Sequence, residues 1–122
     1  MKNPLQITFH GIDHSDAVEQ RVREKTAKLE QLTDRIISCR VVIERPSKNQ
    51  NAEHVKHEPY HVRLDVTVPG AELVVKRDSK NPTSPDDVYV VLRDAYDAMT
   101  GQLKAYLERQ RGDVKTHAAR EA

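Results

Sequence analysis

Four short stretches in which apolar and polar residues alternate predict β-strands, because this is the period of a strand with one buried face. The clearest is 60–68, where Tyr60 and every second residue after it are apolar or aromatic. The other predicted strands cover 5–9, 36–44 and 72–77. Between the strands at 60–68 and 72–77, Pro69 and Gly70 predict a tight turn, since proline fixes its own φ and glycine tolerates a positive φ.

Two segments carry an apolar stripe at the spacing of an α-helix. In the first, Asp13 or Ser15 is the candidate N-cap, and the stripe consists of Val18, Val22, Leu29 and Leu32. In the second, Ser84 or Asp86 is the candidate N-cap, and the stripe consists of Val88, Leu92, Ala95, Met99, Leu103 and Tyr106. Gly101 lies inside the second helix, where it should cost about 1 kcal/mol relative to alanine.

Polar segments without either period predict loops at 47–59 and 78–85 and a flexible C-terminal tail at 113–122. The remaining length, 1–112, suits one domain, since domains commonly have roughly 100–150 residues. The order β-α-β-β-β-α, with a right-handed first crossover, predicts an α+β two-layer sandwich. We expect a four-stranded mixed sheet with both helices packed on one face.

The overall charge changes this picture little, because twenty basic residues nearly balance nineteen acidic ones and the net charge is +1. Only an uneven arrangement of charges would therefore favour a nucleic-acid partner. The single cysteine, Cys39, excludes an internal disulfide and fits a reducing cytoplasm. The first residues lack an apolar run, so neither a signal peptide nor a membrane span is expected.

The basic residues do align on the predicted helices, at spacings that place them on one face of each. The candidate RNA-binding residues are Arg21, Lys25 and Lys28 on the first helix, Arg93, Lys104 and Arg111 on the second, and Arg77 and Lys80 at the exit of the fourth strand. If the helices lie side by side, these cations line one groove suited to phosphates. A solvated surface is the ordinary alternative, and the aromatic residues do not favour a base-stacking platform.

Three histidines, His54, His57 and His61, lie close together in the long loop and at the start of the third strand. Imidazole nitrogens bind zinc or nickel, so a metal site is one interpretation. No cysteine pair or nearby fixed carboxylate supports it, and a solvated loop is favoured. We expect no metal and no other cofactor.

Other reactive residues have structural explanations. Cys39 shares a strand face with apolar neighbours, which predicts a buried thiol rather than a nucleophile. Asp86 and Asp87 suit helix capping, and Asp94 and Asp97 suit a solvated helix face. The sequence has no glycine-rich phosphate loop and no nucleophile with an evident base. We therefore expect that the protein is not an enzyme.

Segments in the same order over most of the chain resemble the short form of the hibernation-promoting factor / YfiA (RaiA) family of ribosome-associated inhibitors. They are LQITF at 5–9, AKLE at 27–30, DRI at 34–36, YHVRL at 60–64, VPG at 68–70, DVY at 87–89, QL at 102–103 and RQRGDVK at 109–115. No single segment decides the match. Their order and spacing agree with the predicted elements, which makes it specific.

The resemblance implies a fold similar in outline to double-stranded-RNA-binding domains. It also implies a cytoplasmic stress or stationary-phase factor that binds the small ribosomal subunit and its ribosomal RNA. Occupation of the channel used by mRNA and tRNA would inhibit translation, with no membrane or small-molecule partner and a monomer off the ribosome. By matching position, Lys25 and Lys28 are the implied RNA contacts; the other basic residues rest on helix geometry and neighbourhood.

Three departures from the family pattern limit which properties of the family can be expected of this chain. The loop at 47–59 is longer than in the shortest relatives, and Gly101 lies where relatives often have a basic residue. Long relatives continue into a dimerisation domain, so we expect that this chain does not pair ribosomes by itself. The alternative functions are a protein-interaction module that modulates transcription or another stress-response factor, and a metal-dependent role of His54, His57 and His61.

Overall fold

The computed structural model describes residues 1–45, 59–80 and 87–121, with side chains as far as Arg111. Its elements are β1 (Gln6–His10), α1 (Asp16–Leu32), β2 (Ser38–Glu44), β3 (His61–Val68), β4 (Ala71–Asp78) and α2 (Asp87–Glu121). The predicted order β-α-β-β-β-α is confirmed, and each strand end lies within two residues of its predicted position. The candidate caps Ser84 and Asp86, and most of both predicted loops, lie outside the described residues.

The four strands form one mixed sheet in the order β1-β2-β3-β4. Strand β1 runs parallel to β2, as the crossover through α1 requires, and the other two pairings are antiparallel. In the centre of the sheet Val41 lies opposite Leu64, and Leu64 lies opposite Val75. These three side chains are almost completely buried beneath the helices, which confirms the predicted two-layer sandwich.

The core joins one face of the sheet to the apolar stripes of both helices. Every residue of the stripe predicted for α2 is buried, but Leu32 of the α1 stripe is 38% exposed, so that prediction is wrong. Leu32 is the last residue of α1 and lies at the rim of the core. Thr26 is buried instead, with its hydroxyl 2.8 Å from the Tyr96 hydroxyl. A polar residue therefore supplies one of the contacts between α1 and α2.

Local hydrogen bonds fix the ends of two elements. Of the two candidate caps of α1, Ser15 is the N-cap: its Oγ accepts from the Val18 backbone N–H at 3.2 Å. At the predicted turn, Gly70 has a φ of 81°, a conformation that side chains with a Cβ rarely adopt. The Tyr106 hydroxyl donates to the Pro69 carbonyl at 2.7 Å, which ties this turn to α2.

Helix α2 extends through Gly112 to Glu121, beyond the point where the sequence pattern predicts a tail. The division into a domain at 1–112 and a tail at 113–122 stays a prediction. Within the residues that the structure describes, no helix is both long and apolar enough to cross a membrane.

Candidate nucleic-acid interface

Helices α1 and α2 lie side by side and run in the same direction. The Arg21 guanidinium lies over the Tyr89 ring, 4.9 Å from its centroid. Further along both helices, the hydroxyls of Thr26 and Tyr96 are 2.8 Å apart. Residue numbers thus increase in the same direction along both helices, so the helices are parallel. A groove forms between them. This is the arrangement that the predicted basic surface requires.

Two lysines of α1, Lys25 and Lys28, lie at the centre of this groove. The other described residues that line it are Leu29, Leu32, Tyr96, Asp97 and Thr100. Lys28 is exposed and Lys25 is half-buried, and neither forms an ion pair with any residue that the structure describes. Their ammonium groups are therefore available to an anionic partner, and the apolar floor supports their methylene stems.

Asp97 also lines the groove, so it is more than one residue of a solvated face. Its carboxylate places a negative charge in the same depression as Lys25 and Lys28. Like charges repel at short range, so a bound phosphate would be favoured on the α1 side of the groove, away from Asp97. The groove is therefore positive on its α1 side, at Lys25 and Lys28, and negative at Asp97 on its α2 side.

Arg21 precedes Lys25 by one turn of α1 and contacts the first turn of α2. One face of its guanidinium stacks on Tyr89, while its Nε lies 3.8 Å from Glu24. The side chain remains 46% exposed. Stacking holds the planar group in place and leaves edge N–H donors for a phosphate, a geometry that lysine does not reproduce.

The predicted basic residues of α2 continue the line on which Asp97 lies. Arg93 precedes Asp97 by four residues and Lys104 follows it by seven, spacings that keep them on one helix face. Arg93 contacts Asp94 at 3.5 Å, and Lys104 and Arg111 are exposed. Because Leu32 at the end of α1 borders the same depression as Thr100, Lys104 and Arg111 lie beyond the two-helix groove, on α2 alone.

Arg77 and Lys80 are separate from the groove. Arg77 lies opposite the buried Val62 in the sheet and so belongs to the face that carries the helices. Its Nη1 donates to the Lys76 carbonyl at 2.7 Å. Neither residue is among the described groove-lining residues. The structure thus brings Lys25 and Lys28 together in the groove, with Arg21 one turn before them on α1 and the rest of the predicted set elsewhere.

The histidine cluster is described in part. His61 lies at the start of β3, and its Nδ1 is 2.6 Å from Asp78. His54 and His57 lie outside the described residues, so the metal interpretation stays untested at these positions. In the ranges 1–45, 59–80 and 87–111, no group of three or more His, Cys, Asp or Glu side chains is arranged to hold a metal ion.

Cys39 is buried, as the strand pattern predicts, with 2% of its surface exposed. Burial raises the pKa of its thiol to about 11, because the charged thiolate is poorly solvated in the core. The neutral thiol is the dominant form at physiological pH and is a poor nucleophile.

One charged residue of β3, Asp65, is buried although it alternates with the apolar residues of that strand. Asp65 is only 5% exposed, and its carboxylate accepts from Arg40 at 3.2 Å and from Arg63 at 3.0 Å. These residues lie on the sheet face opposite the helices, which we call the open sheet face. Sequence alternation predicts the direction of Asp65 correctly but does not reveal its burial, which depends on the pairing of β2 with β3.

Comparison with protein families connects this geometry to ribosome-associated proteins. Residues 5–111 match the model of the sigma 54 modulation protein / S30EA ribosomal protein family. The match covers most of the chain, so the chain belongs to this family. It confirms the family resemblance recognised in the sequence. No curated protein sequence matches the chain significantly.

Two solved structures share the fold. A ribosomal subunit interface protein from Coxiella burnetii superimposes with a TM-score of 0.66 at 19% identity, covering 85% of this chain and 97% of that one. The N-terminal domain of Protein Y from Thermus thermophilus gives a TM-score of 0.62 at 19% identity, covering 83% of this chain and 94% of that one. At this identity the likeness shows the fold alone.

Proposed function

We propose that this member of the S30EA family binds the small ribosomal subunit through its ribosomal RNA and inhibits translation by occupying the channel used by mRNA and tRNA. The observation that carries the proposal is the groove between α1 and α2. There the half-buried Lys25 and the exposed Lys28 form no ion pair within the described part of the chain, and the chain belongs to a ribosome-associated family.

The physical basis is local charge, because the net charge of +1 generates little long-range attraction to RNA. Each lysine that contacts a phosphate releases condensed counterions, which favours binding at low salt. The other predicted contacts extend from this centre: Arg21, Arg93, Lys104 and Arg111 along the helices, and Arg77 and Lys80 beside β4. Tyr96, the aromatic residue among the described groove-lining residues, is buried and offers no open face for a base, so recognition would follow the shape and backbone of the RNA.

The proposed mechanism is steric and non-enzymatic. A folded domain that fills the channel excludes mRNA and tRNA, and it needs affinity and shape but no bond making. The proposal implies a cytoplasmic protein, because ribosomes are there, and a role under stress or in stationary phase. It also implies a protein that is a monomer when off the ribosome, since the groove is complete within one chain.

Co-sedimentation with purified small ribosomal subunits across a salt series tests this function. For the wild-type protein, we expect saturable binding whose log K falls linearly with log salt and which excess tRNA displaces. The variant Lys25→Glu/Lys28→Glu should bind much more weakly, and the magnitude of its salt slope should decrease by about 1 to 2.

Lys2→Glu/Arg35→Glu is the matched control, since it changes the net charge equally at two exposed residues outside the groove. Equal weakening by both variants would show a net-charge effect and contradict the groove assignment. Absence of wild-type binding at low salt would overturn the function. A complex with another protein that is insensitive to salt would favour the protein-interaction alternative instead.

A further inference from the structure

The open sheet face carries a second group of cations, which the two helices do not touch. Strand pairing places Arg40 of β2 opposite Asp65 of β3, and Arg63 of β3 opposite Lys76 of β4. Arg63 and Asp65 are two residues apart on one strand and so point to the same face. Arg63 is therefore a direct neighbour of Lys76 and a diagonal neighbour of Arg40, so the three cations span β2, β3 and β4.

Asp65 anchors the two arginines from below. Its side chain is 6% exposed, whereas the side chains of Arg40 and Arg63 are 54% and 47% exposed. The carboxylate accepts from Arg40 Nη2 at 3.2 Å and from Arg63 Nε at 3.0 Å. A guanidinium has five N–H donors in a fixed plane, so each arginine keeps outward donors after this contact. Two anchored guanidinium groups are thus presented to solvent.

The charges around this cluster limit its size. At one end of the face Glu44 contacts His10 at 3.3 Å, and Asp78 contacts His61 at 2.6 Å. At the other end lies Glu72, which borders a depression shared with Arg40. The positive region is therefore confined to the middle of strands β2 to β4 along their length. Its extent suits one or two phosphates rather than a long stretch of nucleic acid.

We propose that Arg40, Arg63 and Lys76 form a second phosphate-binding site, on the open sheet face, for the backbone of ribosomal RNA. This inference rests on the proposed function. A protein that fills a channel within an RNA particle has RNA on more than one side, and the helix groove engages only one of them. Guanidinium groups bind phosphate oxygens in a bidentate manner, and Asp65 orients Arg40 and Arg63 in advance.

Two variants test the site in the same salt series with purified small ribosomal subunits. Lys76→Gln removes an exposed cation that has no contact with Asp65. Arg40→Gln/Asp65→Asn/Arg63→Gln removes all three charges of the anchor together, so that no buried carboxylate is left without a partner. We expect both to bind more weakly than the wild type. The magnitude of the salt slope should decrease by about 1 for Lys76→Gln and by about 1 to 2 for the triple variant.

Asp65→Asn separates an RNA contact from a structural role. It retains both guanidinium groups and removes their negative partner, so a phosphate site should keep its salt slope and at least its wild-type affinity. If the arginines serve stability only, affinity should instead follow the unfolding midpoint of each variant. Urea unfolding of all variants provides that comparison.

The outcomes distinguish the two proposals. Wild-type affinity and slope for Lys76→Gln and the triple variant, with Lys25→Glu/Lys28→Glu weakened, would overturn the second site and leave the proposed function standing. Weaker binding with an unchanged salt slope would indicate a ribosomal protein as the contact and would also overturn the phosphate site. Absence of wild-type binding would overturn both.

Discussion

The two faces of this domain present cations in opposite ways. In the helix groove, the half-buried Lys25 and the exposed Lys28 form no ion pair in the described part of the chain. On the open sheet face, Arg40 and Arg63 are arginines held by the buried carboxylate of Asp65. Lysine is a flexible point charge, whereas an anchored guanidinium has a defined plane. The groove is suited to charge neutralisation over an irregular backbone, and the sheet face is suited to phosphates at fixed positions.

The contrast extends to what each set of charges contributes to folding. Removing an unpaired lysine of a surface groove changes little, because its ammonium group is solvated in both the folded and the unfolded chain. Removing the partners of a buried carboxylate leaves an uncompensated charge in the folded state. Similar formal charges therefore have different energetic consequences on the two faces, and paired variants can measure the difference.

The largest expected effect is on stability. Arg40→Ala/Arg63→Ala should lower the free energy of unfolding by about 2–3 kcal/mol, somewhat less than for a fully buried pair because the arginine heads reach solvent. Lys25→Ala/Lys28→Ala should change it by no more than about 0.5 kcal/mol per residue. The measurement is the urea midpoint of each double variant at an unchanged m-value.

The triple variant Arg40→Gln/Asp65→Asn/Arg63→Gln is the control for this comparison. It should recover most of the lost stability, because the buried charge is removed together with its partners. If both alanine double variants changed the free energy of unfolding by equal, small amounts, solvent alone would stabilise the Asp65 carboxylate. The proposed energetic difference between the two faces would then be wrong.

A smaller effect on the free energy of unfolding is expected beneath the groove, where the buried polar contact joins two neutral hydroxyl groups. The hydroxyls of Thr26 and Tyr96 are 2.8 Å apart, and both residues are at most 3% exposed. Tyr96→Phe should therefore lower the free energy of unfolding by about 1–2 kcal/mol, because the Thr26 hydroxyl loses this partner in the core. Calorimetric unfolding gives the value.

A double-mutant cycle gives this prediction its control. Thr26→Val/Tyr96→Phe removes both hydroxyls, so its cost should be less than the sum of the two single changes. Tyr89→Phe tests a half-buried tyrosine of the same helix that forms no hydrogen bond through its hydroxyl within the described residues, and it should be nearly neutral. Strict additivity would show that Thr26 and Tyr96 are not energetically coupled.

Much of the fold is predictable from the sequence, because each element depends on local periodicity. The alternation around Leu64 identifies β3, and the apolar spacing that includes Met99 identifies α2. The basic stripe of α1 is readable for the same reason: residues three or four apart on a helix are neighbours whatever the tertiary structure. Helical spacing alone therefore identifies Lys25 and Lys28 as a pair, whereas their role in RNA binding stays a prediction.

The open sheet face is not readable in this way. Arg40 and Asp65 are 25 residues apart in sequence and meet only through the pairing of β2 with β3. An alternating strand predicts that Asp65 points away from the core, and a charged residue there is ordinarily exposed. The predicted burial of Leu32 is wrong for a related reason, since an apolar helical stripe does not show where the elements that pack against the helix end. Both errors concern tertiary contacts, on which local patterns carry no information.

The smallest expected effect concerns Gly101 on α2. A Cβ added there would have no heavy atom within 4 Å, and the position is exposed. Gly101→Ala should therefore stabilise the domain by about 1 kcal/mol, since glycine gains backbone freedom in the unfolded chain. Thermal unfolding should show this as a rise in Tm of several degrees.

Gly101→Lys then separates stability from charge at the same position. Gly101 follows Asp97 by four residues, so the new ammonium would lie on the groove side of α2, where Asp97 now contributes a negative charge. Its Tm should rise nearly as much as that of Gly101→Ala, but only the lysine should tighten binding to small subunits and steepen the salt slope. If alanine and lysine changed the affinity equally, helix stability would limit binding at this position. If only Gly101→Lys bound small subunits more tightly, the α2 side of the groove would have room for a further cation. Lys25 and Lys28 would then supply most of the attraction for RNA in the wild-type groove.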